Sequence, residues 1–111
     1  MKFSDIPIIG YRIVVDYYAL GRFVLEKFLE RFGPEQILGA DPKSYSDGYS
    51  VSIIAKEETE ELQNFGNQLE DELHEKGISV SILVRSKDQI LYGPRIKTEN
   101  LYPYDVIVQK E

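Results

Sequence analysis

Four carboxylates stand where they can do chemistry. Asp16 ends a run of β-branched and aromatic residues, and Asp47, Glu57 and Asp105 each lie beside a candidate strand or helix end. Carboxylate oxygens are the ligands of hard divalent cations, and open α/β sheets place functional residues at strand ends. If the four converge, the chemistry is metal-assisted hydrolysis with Asp16 as its catalytic residue. The competing role for Asp16 is to cap the following helix by accepting a first-turn amide, and that role is the preferred one. Other catalytic chemistry lacks its parts. The chain has no cysteine and one histidine, His74. A thiol nucleophile, a disulfide or a thiolate zinc site is therefore impossible, and a zinc site made almost wholly of carboxylates is disfavoured. There is no Gly-x-Ser-x-Gly elbow, no Gly-x-Gly-x-x-Gly turn and no Walker A loop. No cofactor is expected, and no metal site is assigned.

Two features point to binding instead. Between Lys56 and Lys76 lie eight acidic residues and only those two lysines, a local charge of −6, while the rest of the chain holds eleven acids and eleven bases. The whole net charge of −6 thus sits on one segment, a candidate docking surface for something basic. Glu57, Glu58, Glu60 and Glu61 fall at the N-terminal end of that segment, where the helix dipole favours negative charge. Glu70, Asp71, Glu72 and Glu75 fall at the other end, where each costs about 0.3–1 kcal/mol at low salt, so partner recognition or pairing with bases such as Arg85 and Lys97 is expected of them. His74, in the same turn, reads as a surface residue complementing the dipole. The second feature is the eight tyrosines without a tryptophan. Tyr45, Tyr49, Tyr92, Tyr102 and Tyr104 lie in or beside two expected loops, and tyrosine offers rigid contact area with a polar tip.

The elements that must carry these residues follow from periodicity. Tyr11 to Asp16 reads as a first strand. From Tyr18 to Phe32, Leu20, Val24, Leu25, Phe28, Leu29 and Phe32 recur at helical spacing, with Gly33-Pro34 as the stop. Residues 39–49 are dense in turn formers and are expected to be a long loop. Ser50 to Ala55 alternates as a strand, and Glu57 to Lys76 forms a second helix with the stripe Leu62, Phe65, Leu69 and Leu73, closed by Gly77. Ile78 to Val84 alternates as a third strand, Ile90 to Tyr92 returns as a hairpin arm, and Tyr104 to Gln109 supplies a last strand after a second loop. The order β-α-β-α-β-β-β in one domain, residues 1–111, predicts an α/β (α+β) two-layer sandwich. Two helices cover one face of a four- to five-stranded sheet, right-handed crossovers make the first three strands parallel, and a ferredoxin-like order is the close alternative. The uncovered face, with Ser50, Ser52, Ser79 and Ser81, is expected either to stay wet or to pack on a second copy.

The stretch Tyr11-Arg12-Ile13-Val14-Val15-Asp16-Tyr17 resembles the opening strand of the ferredoxin-like CRISPR spacer-acquisition nucleases, which implies a metal-bound Asp16 and a nuclease. Nothing downstream matches that family. In size and charge alone, the chain is similar to small acidic anti-CRISPR and other phage or archaeal-virus proteins, which implies an inhibitor presenting carboxylates where phosphates would lie. The expected function is a small acidic protein-binding module that recognises a basic protein surface through Glu70, Asp71, Glu72, Glu75, Tyr45, Tyr49, Tyr92 and Tyr102, and forms a homodimer. A metal-dependent hydrolase or nuclease using Asp16 is the alternative. With a pI near 4.8, direct binding to nucleic acid or anionic membranes is opposed by the mean field. No apolar run approaches the ~18 residues of a membrane span, and a cytoplasmic location is expected.

Overall fold

The computed structural model describes residues 16–90 and 93–100. Its elements run α1 (Tyr17–Phe32), β1 (Ile37–Tyr45), β2 (Gly48–Ala55), α2 (Glu60–Glu75), β3 (Val80–Ser86) and β4 (Ile96–Lys97), with short 3-10 turns at Lys87–Gln89 and Thr98–Asn100. The four strands form one mixed sheet in the order β3-β2-β1-β4. β1 is antiparallel to both β2 and β4, whereas β2 and β3 are parallel and joined through α2. This is the expected two-layer α+β sandwich; the ferredoxin-like alternative is not confirmed. The strands expected at residues 11–16 and 104–109 lie outside the described residues, apart from Asp16 itself, which is not in a strand.

One cluster holds the layers together. Leu20, Val24, Leu25 and Phe28 of α1 and Leu62, Leu69 and Leu73 of α2 are buried with Ala40, Val51, Ile53, Val80, Ile82, Val84 and Ile96 of the sheet. Strand register aligns these in rows: Ile96–Ala40–Ile53–Val84 and Pro42–Val51–Ile82. Both helices therefore cover the same face, and their own contact is aromatic, with Phe65 edge-on to Phe28 and Phe32 at centroid distances of 4.9 and 5.5 Å. α1 starts at the Asp16 cap and stops at Gly33, whose φ of 87° only glycine adopts freely. α2 starts at Thr59, whose hydroxyl accepts from the Leu62 amide, so Glu57 and Glu58 precede the helix. It closes in a Schellman motif: Gly77 at φ 88° donates to His74 O, and Ile78 donates to Leu73 O.

The expected long loop at 39–49 is instead the arm and tip of a hairpin. Tyr45 pairs with Gly48 across the two residues Ser46 and Asp47, and the ladder runs from there to Ile37 and Ala55. Pro42 is tolerated in β1 because β4 pairs only with Gly39 and Ala40, so that among the described residues no strand pairs with β1 on that side at Pro42. The buried Pro42 ring packs under α1 so closely that a Cβ on Gly21 would stand 2.8 Å from it. β1, expected to be loop, is thus an antiparallel neighbour of β2, while of the three strands expected to run parallel those at 50–55 and 78–84 do so and that at 11–16 lies outside the described residues. The second expected loop also contains structure, the short strand β4. Lys87–Gln89 form a 3-10 turn after β3, and most of the arm expected at 90–92 lies outside the described residues.

Candidate docking surface

Asp16 is the N-cap of α1, its carboxylate accepting from the Tyr18 amide at 3.4 Å. Its proposed metal partners are dispersed: Asp47 lies at the hairpin tip before β2 and Glu57 beyond the other end of that strand, roughly 30 Å away at strand rise. Asp105 lies outside the described residues. Among the described residues no three acidic or histidine side chains gather as a metal site requires.

The acidic quartet divides by helix geometry. At roughly 100° per residue, Leu62, Gly66, Leu69 and Leu73 point to the core, while Glu60, Asn64, Asn67, Asp71 and Glu75 point directly away from it. Glu60, Asp71 and Glu75 are exposed and make no ion pair among the described residues. Glu72 turns toward α1, onto a groove of about 380 Å³ with Phe65 and Leu69 in its floor and Lys27, Glu30 and Arg31 on the opposite wall. Three turns back, Glu61 pairs with Arg31 at 3.5 Å.

Glu70 does something different from its neighbours. It is half-buried, and its carboxylate accepts the Ile82 amide at 2.8 Å. His74, one turn on, places Nε2 2.9 Å from Val80 O and 3.4 Å from Val80 N. These are the groups of β3 that point away from β2, since Ser79 already bonds Tyr49 on the β2 side and outward groups recur every second residue. The match is metric: a helical step of four residues is about 6 Å and a strand step of two about 6.6 Å, so side chains at i and i+4 of an antiparallel helix reach alternate residues of the strand. His74 is thus bonded to the sheet rather than free at a helix end, a role that a dipole argument does not reveal. Arg85 and Lys97, the bases expected to neutralise the quartet, are exposed and make no ion pair with it among the described residues.

Tyr45 and Tyr49 lie on strands, not in a loop. Tyr45 is 56% exposed at the hairpin tip, and Tyr49 is half-buried against the core. Tyr49 pairs with Val80, which His74 holds, so the tip and the C-terminal end of α2 meet at one end of the molecule. A Cβ on Gly48 would come within 2.9 Å of Ser79 O, which requires glycine there. Tyr92 and Tyr102 lie outside the described residues.

On the sheet's other face, Ser50 pairs with Ser81 and Ser52 with Leu83, and Leu83 is 43% exposed. Ile54 on the same face is only 2% exposed, so this end of the face is covered. At the β1 edge Arg95 bonds Asp41 at 2.8 Å and also donates to Pro42 O; the Asp41 bond holds its guanidinium even more firmly charged than usual. Tyr18 Oη, in turn, donates to Arg95 O at 3.2 Å. No known family model, curated protein or solved structure matches the chain.

Proposed function

We propose that this chain is a protein-binding module whose docking surface is the outward face of α2 together with the adjoining hairpin tip, and that its partner presents a basic surface. The observation that supports this reading most is the row of exposed carboxylates Glu60, Asp71 and Glu75, which no base of the described residues neutralises. Charges left without internal partners add little to the fold but raise association rates with an opposite charge. Tyr45 supplies the aromatic contact that a purely electrostatic patch lacks, with Tyr49 at the same tip but on the core-facing side of the sheet. Tyr92 and Tyr102 belong to the same proposal on sequence grounds. Glu70 contributes through β3, and Glu72 through the interhelical groove. An inhibitor that mimics nucleic acid is the specific version, in which the carboxylates take the place of phosphates.

The test is capture of partners from host lysate by the full chain and by a variant carrying Glu60→Gln, Asp71→Asn and Glu75→Gln, across a salt series. The expected result is a salt-sensitive basic protein retained by the native chain and lost from the variant. Equal capture by both chains refutes the surface.

A further inference from the structure

We infer that the outer edge of β3 is a pairing site for an extended basic segment of the partner, a proposal that rests on the docking reading and gives it a geometry. Within the described sheet β3 is an edge strand, and its outward groups are held by side chains in place of another strand. His74 holds Val80, Glu70 holds the Ile82 amide, and Gln89 Oε1 accepts the Ser86 amide at 3.0 Å. Among the described residues, Val84 between them has no such partner. Continuing the four-to-two step backward from Glu70 brings residue 66 opposite Val84, and residue 66 is glycine, with no side chain to offer. A Cβ there would make ordinary contacts with Ile82 and Phe28, at 3.4 and 3.5 Å, and glycine makes neither. Among the described residues the outward amide and carbonyl of Val84 and the carbonyl of Ile82 therefore have no hydrogen-bond partner, although the two residues are only 5% and 4% exposed, and strand edges with free groups accept added strands.

Charge decides which strand. A second copy pairing here would bring its own acidic α2 alongside the first, which is repulsive, whereas a basic segment meets Glu70 on the flanking helix. On pairing, a backbone carbonyl of the incoming strand takes the Ile82 amide, and the freed Glu70 carboxylate receives a lysine or arginine.

The probes are capped peptides of about ten residues that alternate Lys with Thr or Glu with Thr, a length that spans the strand. They are added to the full chain while amide exchange is followed residue by residue by NMR. The expected result is about tenfold slower exchange at Val84 with the Lys peptide and none with the Glu peptide, with the Lys peptide bound about tenfold more weakly by Val84→Pro, which removes an amide not used by β2. Glu70→Gln, which keeps the bond to Ile82, is expected to weaken the Lys peptide and flatten its salt dependence even if the proline variant does not fold. Charge-selective binding that perturbs only the outward residues of α2 overturns the edge and leaves the docking face standing. Binding of neither peptide at any site overturns both, and Val84 protection that grows with protein concentration alone gives the edge to a second copy and overturns the proposal.

Discussion

At the scale of single residues, the acids of α2 separate into those that serve the fold and those that do not. Glu70→Ala removes a charged acceptor from a half-buried strand amide, and a loss of roughly 1–2 kcal/mol in urea unfolding is expected. Asp71→Asn and Glu75→Gln touch exposed carboxylates and should stay within about 0.5 kcal/mol of the native chain. Equal effects at all three positions would contradict the division. Glu26 supplies a pH signature. Burial, and then the charge of Glu30, push its carboxyl above the ordinary range. The folded chain then binds this proton more tightly than the unfolded chain, so the ionised form opposes folding. Stability is highest below the ordinary glutamate range and falls as pH rises through that value to the raised one. Glu26→Gln should therefore raise the melting temperature slightly at neutral pH, and the gain should vanish near pH 3. A gain that persists in acid would assign the effect to packing. Asp16 caps a helix, so Asp16→Asn, which keeps an acceptor, should leave thermal stability nearly unchanged with or without millimolar magnesium. A magnesium-dependent rise in melting temperature that Asp16→Asn abolishes would support the hydrolase instead.

At the scale of elements, the contact between α1 and β1 makes a prediction opposite in sign to helix propensity. Glycine inside a helix normally costs ~1 kcal/mol relative to alanine, so Gly21→Ala would be expected to stabilise an isolated α1. Here the added methyl meets the Pro42 ring at 2.8 Å and the Ile96 side chain at 3.3 Å. The expected outcome is destabilisation by about 1–3 kcal/mol, read by chemical unfolding. A stabilised Gly21→Ala chain would mean that α1 can lift off β1 at little cost.

At the scale of the whole molecule, the charge is asymmetric: the outward face of α2 is acidic, and the serine-bearing face of the sheet carries exposed Leu83 beside Ser52 and Arg85 beside Ile54. If that face forms the proposed homodimer, light scattering at micromolar concentration should give twice the 12.8 kDa chain mass, and Ser81→Arg should return the mass to a single chain by burying an unpaired charge. A concentration-independent single-chain mass removes the dimer and leaves Ser81 and Leu83 to solvent.

Periodicity alone was enough to read both helices, their buried stripes and their glycine stops, because helix formation is governed by local spacing and by end groups a few residues apart. The alternation of β3 was legible for the same reason, as was the cap at Asp16. β1 was not, because Asp41, Pro42 and Ser44 are turn formers by propensity; only the ladder with β2 and the packing of Pro42 beneath Gly21 make them a strand. The segment's charge could likewise be summed from the sequence, but its division among the core-flanking, outward and groove-facing sides of α2 could not. That division depends on where β3 and α1 lie against the helix. Glu70 and His74 acquire their roles only when a strand from later in the chain is laid antiparallel beside them, its two-residue step matching their four-residue step, and such long-range pairing is a property of the tertiary structure rather than of local sequence.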